Sequence, residues 1–217
     1  MREPLKIVIT ANGEGSRMKA ISPKPKHLLY YGGKRIIDCI VDALKPFGEV
    51  RVFGAYPGSE TADNWMVCGP TGSRKAQLEL IRNWKNVLIV DCDVIPVFAK
   101  PTFVPDFKEY FEWIPTQPND YIFCFKSSLS KYCGLHFTFD GAECQSSGCL
   151  ESAIEREVSE RAMLRASGLY FLKDVGATVD RMADHNSIAS GMIGAKMTPE
   201  QTFIRVGDPE DYLNALK

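Results

Sequence analysis

Apolar positions along this chain fall into two rhythms. Residues 5–11, 50–55, 86–90, 121–125 and 166–172 are short, near-continuous apolar runs, of which Leu5-Lys6-Ile7-Val8-Ile9 is the clearest. Runs of this length and β-branched content predict buried strands. Residues 35–45 and 74–84 instead carry apolar residues at helical spacing. Ile36, Ile37, Ile40, Val41 and Leu44 mark the first, and Ala76, Leu78, Leu80, Ile81 and Trp84 the second. Shorter strands are expected at 65–67, 133–139 and 203–206, and further helices at 105–113, 150–165, 174–183, 187–194 and 209–216. Tyr30-Tyr31-Gly32-Gly33-Lys34 reads as a tight turn, and Asp140-Gly141 suits a hairpin. Strand and helix alternate over roughly the first ninety residues, which predicts an α/β fold with a mostly parallel mixed sheet inside a three-layer sandwich. One domain spanning 1–217 is expected, with a first half at about 1–97 and a second at about 98–217.

Open sheets of this kind bind ligands at the carboxyl ends of their strands, and two polar features fall there. The first strand runs into Ala11-Asn12-Gly13-Glu14-Gly15-Ser16-Arg17-Met18, then Pro23-Lys24-Pro25-Lys26. A glycine turn can present backbone N–H groups to phosphate, and Arg17 and Lys26 can meet phosphate oxygens, arginine with two prongs and lysine as a point charge. Flanking prolines hold Lys24 and Lys26 stiffly. The loop is not a Walker sequence, and it lacks the third glycine of the dinucleotide fingerprint. The second feature is Asp91-Cys92-Asp93, directly after an apolar strand. If the strand persists, both carboxylates face one way, as a divalent metal would require, with Asp93 the stronger ligand. Asp208-Pro209 reads, taken alone, as an ordinary helix start.

Composition narrows the partners. The 217 residues are 45% hydrophobic and 24% charged, and the formal net charge is -1. There is no overall basic field for a nucleic acid, and the local basic patch of Arg17, Lys19, Lys24, Lys26, Lys34 and Arg35 suits a small anion better. The seven cysteines form no Cys-x-x-Cys pair, so free thiols in a reduced, cytoplasmic protein are expected. Cys144, Cys149 and His136 match no ordinary zinc spacing. No apolar run approaches the roughly 18–20 residues of a membrane span. The aromatic stretch at 98–113 suits a packed lid or a subunit contact, including a homodimer.

The segments 11–18 and 25–29 resemble the signature of the sugar-phosphate nucleotidylyltransferases, which include the nucleotide-sugar pyrophosphorylases and the choline-phosphate cytidylyltransferases. That pattern is Gly-x-Gly-Ser/Thr-Arg followed by Pro-Lys. Leu88-Ile89-Val90-Asp91-Cys92-Asp93 resembles the family strand that ends in a metal-binding aspartate, which falls on Asp93. Gly72-Ser73 resembles its base- or ribose-contacting loop, Ser167-Gly168-Leu169-Tyr170-Phe171 the strand beside its second substrate, and Val206-Gly207-Asp208-Pro209-Glu210-Asp211 its closing motif. The likeness runs from residue 7 to 212.

This resemblance implies a Rossmann-like, GT-A-like sheet, with a nucleotide-binding first half and an acceptor-binding second half. It implies transfer of a nucleotidyl group from a nucleoside triphosphate to a phosphorylated small molecule, a sugar 1-phosphate or a phosphocholine-like ester, with release of pyrophosphate and with Mg²⁺. Nucleotide-sugar or polysaccharide biosynthesis would be its setting. Arg17, Lys26 and Asp93 would be catalytic, and Ala11, Asn12, Gly13, Glu14, Gly15, Ser16, Gly72 and Asp91 would bind nucleotide. Gly168 and Tyr170 would bind the acceptor, and Asp93 and Asp208 the metal. Two positions depart from the pattern. Arg205 stands where the family commonly has a second metal-binding aspartate, and residues 144–151 contain no lysine for the acceptor's phosphate. Arg156, Arg161, Arg165 or Lys173 could take that role. A metal-dependent nucleotide-sugar glycosyltransferase, or a nucleotide-binding protein without turnover, would use many of the same residues.

Overall fold

The opening apolar run forms the middle of a seven-stranded sheet. In chain order the strands are β1 (Leu5–Ala11), β2 (Tyr30–Tyr31), β3 (Lys34–Arg35), β4 (Gly48–Gly54), β5 (Trp65–Val67), β6 (Lys85–Asp91), β7 (Val94–Pro96), β8 (Tyr121–Lys126), β9 (Leu135–Asp140), β10 (Glu143–Cys149), β11 (Leu164–Asp174), β12 (Gly194–Met197) and β13 (Phe203–Arg205). The α-helices are α1 (Ile36–Leu44), α2 (Arg74–Glu79), α3 (Val175–Arg181) and α4 (Pro209–Ala215). The structure is a computed structural model; it describes residues 5–11, 13, 16–54, 65–67, 73–96, 114–116, 118–126, 135–140, 143–149, 164–192, 194–197 and 203–217. The helix expected at 105–113, residues 150–163 of the helix expected at 150–165, the tip of the hairpin at 141–142 and the aromatic stretch at 98–113 lie outside these residues; residues 164–165, expected to end that helix, instead begin β11.

The main sheet has the order β12-β8-β11-β6-β1-β4-β5. The strands β6, β1, β4 and β5 run parallel, and β8 and β12 are parallel to each other. Strand β11 is antiparallel to both β6 and β8, so it joins the two parallel sets into one mixed sheet. This is the mostly parallel α/β sheet that the alternating pattern predicts, and the Rossmann-like arrangement that the resemblance implies. A strand from residue 164 onward thus pairs directly with one from the first ninety residues.

Burial on both faces explains the unbroken apolar runs. Ile7, Ile9, Leu88, Val90 and Phe171 pack with Ile36, Ile37, Ile40, Val41 and Leu44 of α1 on one side. Val8, Val87, Ile89, Tyr170 and Leu172 pack with Leu78, Ile81, Val175 and Val179 on the other, where α2 and α3 lie. Each such side chain contributes about 1.5–3 kcal/mol through removal from water. Between β2 and β3, Gly32 and Gly33 have φ of 56° and 83°, the pair of positive values that a two-residue hairpin turn requires.

Two expectations are corrected. Helix α2 ends at Glu79 rather than near residue 84. Beyond it, Leu80, Ile81, Arg82 and Trp84 donate to carbonyls three residues back. This tighter winding turns Leu80 out to 55% exposure while Ile81 stays buried. The small-residue segment expected as a helix at 187–194 is a short 3-10 turn, Ile188–Gly191. Among the described residues no helix is long and apolar enough to cross a membrane. Cys39 and Cys92 are free thiols, and burial pushes the Cys92 thiol up to about 11.

Candidate functional site

The register brings the site together. Thr10 of β1 lies opposite Asp91 of β6, so the glycine loop and the Asp91-Cys92-Asp93 segment leave the sheet side by side at its carboxyl edge. Strand β6 does not persist through Asp93. It stops at Asp91, and the chain turns at Cys92 and Asp93 before β7 begins. The expected alternation of faces therefore does not set the direction of the two carboxylates. Each is set by its own cation.

Asp93 meets Lys26, with Nζ 2.6 Å from Oδ2 and both side chains 14% exposed. Lys26 opens a 3-10 turn, Lys26–Leu28, that starts from Pro25. Leu28 N–H donates to Pro25 O, Leu29 N–H donates to Lys26 O, and Ile36 N–H returns to Leu29 O. Buried His27 and Leu29 anchor that turn beneath its lysine. Burial opposes the Lys26 charge, but Asp93, then Cys92 and Asp91, outweigh it, so the ammonium is held above its ordinary value.

Asp91 meets Arg74, the first residue of α2, with Nη2 2.6 Å from Oδ1. Arg74 Nη1 also donates to Thr10 Oγ1, and Thr10 Oγ1 donates to Asp91 Oδ1 at 3.1 Å. The guanidinium thus joins the ends of β1 and β6 to the start of α2. Its charge is held up by Asp91 against the cost of burial, and Tyr170, Cys92 and Asp93 add to it. Arg74 was not among the sequence candidates. Its signal was its position, one residue past Gly72-Ser73, where Ser73 caps α2 by accepting from Ala76 N–H at 3.2 Å.

Two glycines press on these carboxylates. Gly168 has φ +88°, and a Cβ there would stand 2.7 Å from Val94 Cγ2 and 3.2 Å from Asp91 Cβ. The Gly168→Ala variant is therefore expected to lose about 2 kcal/mol from strain and overpacking, read as a lower urea midpoint. Gly207 approaches Asp93, where a Cβ would stand 2.9 Å from Oδ2. The closing segment is delivered by β13, which pairs Arg205 with Val94 of β7, and by Val206 N–H, which donates to Asp93 O at 2.9 Å.

The other sequence candidates are placed as follows. Ala11 is buried at the end of β1, and Gly13 is exposed in the loop. Ser16 and Arg17 are exposed at the start of a 3-10 turn, Ser16–Ala20, that buried Met18 pins to the core. Asn12, Glu14, Gly15 and Gly72 lie outside the described residues. Tyr170 packs in the core cluster under α2 and α3. Asp208 is buried and caps α4, its Oδ1 accepting from Asp211 N–H at 2.9 Å. Lys173 lies between Leu172 and Asp174, which face Val87 and Lys85, so it sits at the end of the sheet opposite Asp93. That position sets it apart from Lys26 and Asp93. Among the described residues no group of three His, Cys, Asp or Glu side chains is placed to hold a metal ion.

His27 supplies a pH signature. Burial, with Lys26 and Arg35 nearby, pushes its imidazole down to about 4. The unfolded chain takes up this proton near pH 6.5 and the folded chain does not, so stability is full above pH 6.5 and falls as the pH drops toward 4. The loss is expected to be about 2 kcal/mol between pH 7 and pH 5. Urea titrations at both values, with His27→Gln as the control that flattens this part of the slope, check it.

No family model matches the sequence, and no curated protein matches it. Solved structures do match along nearly the whole chain. A UDP-glucose pyrophosphorylase in its apo form superposes with a TM-score of 0.69 at 13% identity, covering 97% of this chain and 96% of that one. The CTP:phosphocholine cytidylyltransferase of Streptococcus pneumoniae gives 0.64 at 13% identity, covering 97% of each chain. A nucleoside-diphosphate-sugar pyrophosphorylase from Vibrio cholerae gives 0.64 at 14% identity, covering 97% of this chain and 99% of that one. The resemblance carried by the motif around residues 11–18 thus extends to the backbone, and the chain has the fold of the sugar-phosphate nucleotidyltransferase structures.

Proposed function

We propose that this protein transfers a nucleotidyl group from a nucleoside triphosphate to a phosphorylated small molecule and releases pyrophosphate. The observation that carries the reading is the meeting of Lys26 with Asp93, 67 positions apart, at the carboxyl edge beside the glycine loop. The shared fold and the Gly-x-Gly-Ser-Arg segment support it.

The triphosphate lies over residues 11–17, with its base toward Gly72. Arg17 binds the β- and γ-phosphates, and Lys26 leaves Asp93 for the α-phosphate. An oxygen of the acceptor's phosphate, already ionised near neutral pH, attacks the α-phosphorus. The bond from that phosphorus to the β-phosphate's bridging oxygen breaks, and pyrophosphate departs with the electron pair. No protein nucleophile and no strong general base are needed, so the residues act by positioning and charge stabilisation. Gly168 bounds the acceptor side.

The residues fit a magnesium ion held through one or two carboxylates and substrate phosphates. The glycine at 207, where a Cβ would stand 2.9 Å from Asp93 Oδ2, leaves room beside the oxygen that Lys26 holds. When bound, the ion would neutralise developing phosphate charge, with Asp93 as its protein ligand. Asp208, with one oxygen already capping α4, would be the second.

A pyrophosphate-release screen of four nucleoside triphosphates with Mg²⁺, against sugar 1-phosphates, phosphocholine and related esters, tests the reading. Release with at least one pair supports it. Nucleoside diphosphate release from a nucleotide sugar would replace it with a glycosyltransferase. Triphosphate binding with no release across the panel would replace it with a binding protein.

A further inference from the structure

We infer that Arg74 is a positioning residue that takes a cation's place at Asp91, leaving Asp93 as the metal-binding carboxylate of the Asp91-x-Asp93 pair. The inference rests on the proposed nucleotidyl transfer. A sequence with two carboxylates one residue apart after a parallel strand invites a metal bridged by both. Here Asp91 Oδ1 already accepts from Arg74 Nη2 at 2.6 Å and from Thr10 Oγ1 at 3.1 Å. Arg74 Nη1 donates to Thr10 as well, closing a three-membered knot at the root of the nucleotide loop.

The two cations of the site differ in how they can move. Lys26 is a single ammonium on a flexible stem, and a phosphate can draw it away from Asp93. Arg74 holds two partners on two elements with a rigid fork, and releasing one disturbs both. A divalent ion reaching Asp91 Oδ1 would have to displace this fork from both partners. The same fork fixes the end of β1, from which the glycine loop departs, against the start of α2. Arg74 thus sets the metal stoichiometry and the loop's position with one side chain.

Mn²⁺ binding to the protein without nucleotide, followed by electron paramagnetic resonance, tests this. Arg74→Gln frees Asp91, so the variant is expected to bind Mn²⁺ at least tenfold more tightly than the wild type. The gain should vanish in Arg74→Gln/Asp91→Asn, and Arg74→Lys should fall between. A folded Arg74→Gln that binds Mn²⁺ no better than the wild type overturns the inference. If that variant does not fold, Asp91→Asn in the wild-type background decides. Nucleotide-free Mn²⁺ affinity within threefold of the wild type upholds it, and a greater loss overturns it. The nucleotide-free measurement stands even if no triphosphate binds, an outcome that would instead count against the proposed reaction.

Discussion

Alanine at Lys26 is expected to lower kcat/KM for pyrophosphate release by about 10²–10³-fold, the usual consequence of removing one well-placed electrostatic donor. The size follows from placement. The Lys26 turn is anchored by buried His27 and Leu29, so its stem starts from a fixed backbone, and the pair with Asp93 is mostly shielded from water. A charge in such a setting acts more strongly on a developing phosphate charge than one in bulk solvent. Lys26→Arg should not restore the rate, because a planar fork does not replace a compact ammonium at a site shaped around it. Asp93→Ala should show a comparable loss, and the double variant should lose less than the sum, since the two residues contact each other. Initial rates with the best pair from the triphosphate screen check this. Wild-type turnover by either single variant would remove both residues from the reaction.

The largest effect on stability is expected at Asp120, far from the chemistry. Its carboxylate is buried just before β8 and accepts from Lys173 N–H at 2.6 Å and Thr178 Oγ1 at 2.8 Å. Arg181 donates to it as well, and reaches Gly191 O at 3.0 Å with its Nε. One side chain thus ties β8, the end of β11 and α3 to the turn that follows. Asp120→Ala takes this acceptor from the part-buried Lys173 N–H, the buried Thr178 hydroxyl and the Arg181 guanidinium, which costs about 3 kcal/mol in all. In a domain of this size the melting temperature should fall by roughly 6–12 °C. Asp120→Asn keeps an accepting oxygen and should lose about half as much. Thermal melts read both, and a melting temperature for Asp120→Ala within 2 °C of wild type would show that the network carries little of the fold's stability.

Local pattern was enough for β1, α1, β6, α3 and α4: near-continuous burial marks the two strands, a buried face marks α1 and α3, and the Asp208-Pro209 start marks α4. Hydrophobic pattern also put the glycine loop and the Asp91-Cys92-Asp93 segment at strand ends, where a parallel sheet opens. What the chain's order could not give was the contact across distance. Arg74 reaches Asp91 and Thr10 only because β6 and β1 are neighbours in register and α2 starts above them. Gly168 faces Asp91 because β11 runs antiparallel to β6, and no spacing in the sequence reveals that reversal. Asp208 reads from its own segment as a helix cap, and the folded chain makes that cap.

The amino-acid sequence by itself determined which segments are buried strands and helices, and which loops carry the glycine turn and the charged side chains, since both follow from residue type and local period. The tertiary structure alone decided which cation stands against which carboxylate. Pairing of that kind depends on strand order and register, and these are fixed by how separate segments bury one another rather than by any segment's own preference.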